Sequence, residues 1–154
     1  MLKVQRVDQK FSIGSQPSEH ELGQLAGQGF KSIINLRVPN EDSEQLPPEE
    51  EGSQARELGM EYLHIPIAGQ QIRPEQADMF RTAAASLPGP MFVHCAAGKR
   101  AMGFVMIDKA LREGWNSQQA IDQAKELGTP LDSPPIHDFV VQYIDDHDEV
   151  DSQR

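Results

Sequence analysis

The single cysteine of the chain, Cys95, stands inside the stretch HCAAGKRAMGF (residues 94–104), preceded by His94 and followed by two alanines, a glycine and two cations. These residue types suit one kind of chemistry. A short loop of small residues between a strand and a helix start turns successive backbone N–H groups into one concavity, which the positive end of the helix dipole also faces. An oxyanion would be held there. The same donors favour the ionised form of Cys95, a nucleophile at neutral pH. Ala96, Ala97 and Gly98 keep side chains out of the cradle, Arg100 offers a fork of donors suited to a tetrahedral oxyanion, and Lys99 adds a point charge. A lone cysteine at the end of a core strand is commonly an inert buried thiol, but the glycine and cations directly after this one point to a working residue. His94 is expected to act indirectly, orienting the loop by hydrogen bonding.

The rest of the composition narrows the chemistry further. One cysteine can form neither an internal disulfide nor a structural zinc site, and the five histidines show no metal-type pairing, so neither a metal nor any other cofactor is expected. A net charge of −10 argues against nucleic acid as a partner, because that binding relies on clustered Lys and Arg. Any anion site must therefore be local. No apolar run approaches the ~20 residues needed to span a bilayer, and the opening MLKVQRVDQKF lacks the apolar stretch of a secretory signal. A cytoplasmic protein without membrane contact is expected.

Placing Cys95 requires a scaffold, and 154 residues amount to about one domain, read as residues 1–148 with a polar tail over 149–154. The patches VQRV and FSI suggest an opening hairpin. SEHELGQLAGQGF carries a capping box at Ser18 and Glu21, with Leu22 and Leu25 on one face, and predicts a helix ending at Gly27 or Gly29. KSIINL is an apolar run of strand length read as central, and VPNEDSEQLPPEEEG an exposed acidic loop. SQARELG predicts a helix closing at Gly59, MEYLHIPI a strand ended by Pro66 and Gly69, and EQADMFRTAAASL a helix opened by Pro74. After the PGP turn, MFVH is a strand with Cys95 at its carboxyl end. AMGFVMIDKALR is apolar on most sides and predicts a buried helix stopped by Gly114. Two more helices, SQQAIDQAKEL capped by Ser117 and PPIHDFVVQYIDDH after Ser133, complete the chain. This alternation implies an α/β fold with a mostly parallel central sheet of about four or five strands flanked by helices, and such sheets bind ligands at the carboxyl ends of their strands.

VHCAAGKRAMG resembles the signature loop of cysteine-dependent phosphatases, which carry His-Cys, a glycine three residues past the cysteine and an arginine closing the loop. IGSQPSEHELGQLAGQGFKSIINLR and YLHIPIAG are similar to a bacterial family of dual-specificity- and tyrosine-phosphatase-like domains, found alone or joined to a metallo-β-lactamase-like hydrolase. The likeness spans roughly residues 4–125. It implies a three-layer cysteine-phosphatase-like fold and hydrolysis of phosphate monoesters, on a phosphorylated protein of phosphotyrosine type or a small aryl phosphate. Cys95 would attack phosphorus and form a phosphocysteine, while Arg100 and the backbone of Ala96 to Lys99 would bind the phosphate oxygens. No cofactor is implied.

The loop departs from that pattern in three ways. Phosphatases of this kind place five residues between cysteine and arginine, whereas Cys95 and Arg100 enclose four, so the usual arginine position falls on Ala101. The hydroxyl that usually follows the arginine is missing. The loop after the IP strand reads Ala68-Gly69-Gln70-Gln71, where resembling enzymes carry an aspartate that protonates the leaving group. Glu41, Asp42, Glu44, Glu75 and Asp78 are available as substitutes, but each reads first as a solvated carboxylate, so the general acid stays unassigned. The shorter spacing also resembles rhodanese-type sulfurtransferases, in which Cys95 would carry a persulfide. A phosphate-binding pseudophosphatase is the third reading, kept open by the missing acid and hydroxyl.

Overall fold

The computed structural model describes residues 2–152, with side chains as far as His147. Five strands form one sheet: β1 (Val4–Arg6), β2 (Phe11–Ser15), β3 (Ser32–Asn35), β4 (Glu61–His64) and β5 (Met91–Cys95). Their order is β1-β2-β5-β3-β4, with β1 antiparallel to β2 and every other pair parallel. The middle position thus belongs to β5, the strand that delivers Cys95, and the KSIINL strand β3 lies beside it in the interior. Both are buried along their whole length, which is why they read as apolar runs without alternation.

Six helices complete three layers: α1 (Glu19–Gly27), α2 (Pro48–Glu57), α3 (Pro74–Ser86), α4 (Lys99–Glu113), α5 (Ser117–Glu126) and α6 (Pro134–Ser152). Leu22 and Leu25 of α1 and Ala55 of α2 pack with Ile33 and Phe92 on one face of the sheet. Phe80 of α3, Phe104 of α4, Ala120 of α5 and Val140 of α6 pack with Ile34, Met91 and Val93 on the other. Because successive strand residues point to opposite faces, Cys95 joins the α4 side with Met91 and Val93, and His94 turns with Phe92 toward α2.

The caps explain most helix starts. Ser18 Oγ accepts the Glu21 N–H at 3.2 Å and a Glu21 carboxylate oxygen accepts the Ser18 N–H at 2.9 Å, the expected box. At α5 the cap is Asn116 rather than Ser117, its side chain accepting from the Gln119 N–H at 2.8 Å while Gln119 reaches back at 2.9 Å. Three other expectations are corrected. α2 opens at Pro48, inside the stretch read as loop, because proline suits the first helical position and Glu49, Glu50 and Glu51 favour the positive helix end. The regular part of β4 stops at His64, since Pro66 lacks an N–H, although Ile65 and Ile67 still donate to the Asn35 and Leu36 carbonyls at 2.9 and 3.1 Å. The last helix runs on through Ser152, into the stretch read as a polar tail; Gln153 and Arg154 lie outside the described residues.

Candidate active site

The carboxyl ends of β2, β5 and β3 lie in register, Ser15 opposite Cys95 and Asn35 opposite His94, and the chain leaves β5 directly into Ala96, Ala97 and Gly98. Gly98 is the N-cap of α4 and sits in the left-handed region with φ +94°. Having no side chain, it leaves the first-turn N–H groups of α4 uncapped. The Cys95 sulfur fills that role. Its Sγ accepts from the Gly98 N–H at 3.1 Å and from the Ala101 N–H at 3.5 Å, and the residue is 1% exposed.

Cys95, Ala96, Ala97, Lys99 and Arg100 line a cleft of about 400 Å³ with Gly69 and Gln70 from the loop after β4 and Ser133, Pro135 and Ile136 from the start of α6. The arginine is tightly held. Its Nη1 donates to Glu41 Oε2 at 2.7 Å and to the Ile67 carbonyl at 2.7 Å, and Nη2 donates to Glu41 Oε1 at 2.8 Å. The Glu41 carboxylate, and Cys95 nearby, raise the affinity of the guanidinium for its proton. Lys99 lines the cleft but places its ammonium on Asp132 at 2.5 Å, an exposed pair, and that lysine draws the Asp132 carboxyl below the usual carboxylate range.

His94 stands behind the loop. Its Nε2 lies 2.7 Å from Glu51 Oε2, both side chains fully buried, and among the described residues Nδ1 has no hydrogen-bond partner. Glu51 Oε1 accepts from Gln16 Nε2 at 2.8 Å; the same nitrogen donates to the Leu46 carbonyl at 2.8 Å, and Gln16 Oε1 accepts the Gln45 N–H at 2.7 Å. Tyr62 completes the network with its hydroxyl on Asn35 Nδ2 at 3.0 Å. Burial, and then the charge of Glu51, push that phenol well above the ordinary tyrosine range.

The sequence pattern did not single out Glu51 for this place. It lies in a PPEEEG run that looks solvated, and only its position at the third turn-facing residue after a helix-opening proline would have hinted at burial. Among the five carboxylates weighed as general acid, only Glu41 reaches the site, through Arg100. That guanidinium holds its carboxyl below the usual glutamate range, so it is ionised and has no proton to give at neutral pH. Asp78 accepts from the Tyr143 hydroxyl away from the cleft, Glu44 accepts the Asn40 N–H, and Asp42 and Glu75 are exposed. The loop after β4 does border the cleft, but with Gly69 and Gln70 rather than an acid.

This constellation of a buried cysteine at a strand end, a glycine-capped helix and a clamped arginine on a mostly parallel sheet is that of the cysteine phosphatase fold. Kinase associated phosphatase, a protein with a catalytic-site cysteine, superposes with a TM-score of 0.77 at 15% identity over 95% of this chain and 94% of its own. A phosphatase-like protein of Shewanella putrefaciens CN-32 gives 0.73 at 25% identity over 91% and 89%. Residues 3–112 match the family model of the beta-lactamase hydrolase-like protein, phosphatase-like domain, and the chain belongs to that family. The Beta-lactamase hydrolase-like protein of Agrobacterium fabrum (strain C58) is 36% identical over 110 residues, a match covering 71% of this chain and 26% of the relative. The chain thus corresponds to about a quarter of that longer protein.

Proposed function

We propose that the protein hydrolyses phosphate monoesters through Cys95. The observation that carries this reading is the sulfur itself, seated at the amino end of α4 with two backbone N–H groups aimed at it and Arg100 lining the same cleft. In line attack forms the S–P bond and breaks the P–O bond to the leaving group. The backbone of Ala96 to Lys99 and the Arg100 fork receive the equatorial oxygens, whose charge persists through the transition state. Water then attacks phosphorus, releasing inorganic phosphate and returning the electron pair to sulfur. His94 does not hydrogen-bond the loop as expected; through Glu51 it fixes the end of the strand that carries Cys95.

With no carboxylic acid lining the cleft among the described residues, the departing oxygen leaves as an anion and takes its proton from solvent. A phenolate does so far more readily than an alkoxide, which favours phosphotyrosine-type or small aryl phosphate substrates over phosphoserine. Purified protein given p-nitrophenyl phosphate is expected to release nitrophenol, Cys95→Ser to abolish release, and an alkyl phosphate to turn over much more slowly. Activity that survives Cys95→Ser removes the assignment. A second reading, sulfur transfer through a Cys95 persulfide, is favoured by the four-residue spacing between Cys95 and Arg100. Thiocyanate formed from thiosulfate and cyanide, with no phosphate release, would select it; phosphate bound without turnover would select a pseudophosphatase.

A further inference from the structure

Resting on the phosphatase reading, the geometry points to a second cavity beside the phosphate loop as the seat of an acidic group on the substrate, so that the preferred substrates are aryl phosphates carrying a second anion. The cavity holds about 730 Å³ and lies between Lys3 at the start of β1, Ser15 at the end of β2, Thr129 in the turn after α5, and Ala97 and Gly98 of the loop. It opens at the carboxyl edge of the sheet, where such sheets take their ligands. Ala97 lines both this cavity and the catalytic cleft, and it is exposed together with Ala96. A substrate with its phosphate over Cys95 therefore has only an alanine methyl to cross before it enters the second space.

The walls of this cavity are built, not slack. A Cβ on Gly14 would lie 2.5 Å from the Lys3 carbonyl oxygen and 3.0 Å from Phe92 Cζ, so the absence of a side chain there lets β1 close on β2 and sets Lys3 at the rim. Thr129 Oγ1 donates to Gln5 Oε1 at 2.9 Å, and Gln5 Nε2 donates to the Leu127 carbonyl, which ties the turn after α5 to β1. Gln5 is thus spent on the wall. Among the described residues that line the cavity, Lys3 alone is charged, and Val4 and Ile13 add apolar surface. The volume is that of a ligand site with room for far more than one phosphate. Its lining suits an apolar or aromatic spacer that ends in a carboxylate. The protein as a whole, at a net charge of −10, disfavours each added negative charge on a substrate. Lys3 reverses that at the rim, because the diffuse charge is screened over about 10 Å while a direct contact is not.

Global charge and the subsite predict opposite preferences, which gives the test. Phosphorylated hydroxyphenylpropionate and its amide differ by one charge and hardly in shape, as do an acetylated glutamyl-phosphotyrosine amide and its glutaminyl analogue. Wild-type protein is expected to take the acid of at least one pair with a KM about 5-fold below that of its amide and a similar kcat, the scale of an ion pair at an exposed lysine. Preference in the first pair alone names small phenolic esters as the source of the acid, and preference in the second alone names phosphotyrosine peptides. Lys3→Gln should abolish the preference and Lys3→Glu should invert it. Lys31→Gln should keep it, since Lys31 is exposed at the amino end of β3, the opposite edge of the sheet. Amides that do as well as their acids in both pairs, or a preference that survives Lys3→Gln, would overturn the subsite and leave the phosphatase reading intact as long as nitrophenol is released from p-nitrophenyl phosphate. Wild-type protein that turns over none of these esters, yet binds an acid more tightly than its amide only while Lys3 is present, would remove the phosphatase reading and leave the subsite standing. Protein that neither binds nor turns over any of them would remove both.

Discussion

Glu51 and His94 share a 2.7 Å contact with no solvent on either side chain, and such a pair is asymmetric in its energetics. Formed, it roughly offsets its own desolvation; broken from one side, it strands a buried polar group. Glu51→Ala would leave His94 Nε2 without its acceptor and deprive Gln16 of one of the two carbonyl or carboxylate oxygens that its Nε2 reaches. A loss of about 3 kcal/mol of unfolding free energy is expected, read from denaturant midpoints, and a loss below 1 would show water serving the pair instead. Gly98 poses a backbone problem at the same site. Nothing crowds the space where its Cβ would be, but φ is +94°, so Gly98→Ala pays only the cost of the left-handed conformation, ~1–2 kcal/mol. If α4 starts differently to avoid that cost, the Gly98 and Ala101 N–H groups leave the sulfur. A modest fall in thermal stability with a larger proportional fall in kcat/KM is the expected result, and an unchanged kcat/KM would count against the loop as anion cradle.

Helix α4 is the element on which the site hangs, since its first turn supplies the donors and its body is buried from Ala101 to Asp108. At its centre Gly103 lets α6 approach closely: a Cβ there would lie 2.7 Å from Ile136 Cδ1, 2.8 Å from Ile136 Cγ1 and 3.2 Å from Val140 Cγ2. Alanine in mid-helix would ordinarily gain about 1 kcal/mol over glycine. Here Ile136 and Val140 are both buried and cannot yield without moving α6, a cost of ~1–3 kcal/mol. Gly103→Ala should therefore be destabilising by a calorimetric comparison, and because Ile136 lines the cleft it should also raise KM; a gain in stability would show α6 to be loosely seated. The same helix shows what could be read from sequence. Its burial, its glycine stop and the cysteine before it follow from local pattern, as does the capping box of α1. The start of α2 does not, because PPEEEG has the composition of a loop and its helical state depends on packing Ala55 and Glu51 against the sheet. For the same reason the two carboxylates that contact Arg100 and His94, Glu41 and Glu51, look like solvated charges: nothing nearby in sequence reveals that these partners lie across from them.

Across the molecule, a net charge of −10 surrounds a cleft whose own cations are paired, and this sets how stability should vary with pH. From neutrality downward the first protons relieve repulsion among surface carboxylates, which stabilises the compact state. A second effect opposes this further down. Glu41 is held below the usual glutamate range by Arg100, and Glu21 by the Ser18 N–H in its capping box. For Asp8, burial pulls upward but is outweighed by the N–H groups of Phe11 and Lys10 and by Lys109, so its carboxyl too is lowered. A carboxyl lowered in the folded state contributes stability that is complete above its unfolded value, about pH 4, and is lost as pH falls through the folded value, because the unfolded chain then binds more protons. The two effects meet in mildly acidic solution. Urea midpoints measured from pH 7 to 2.5 should thus rise or stay level to about pH 5 and fall steeply below pH 4, with Asp8→Asn lower at pH 7 and flatter on the acid side. A midpoint that keeps climbing as the carboxylates are protonated would mean that repulsion outweighs these three contacts together.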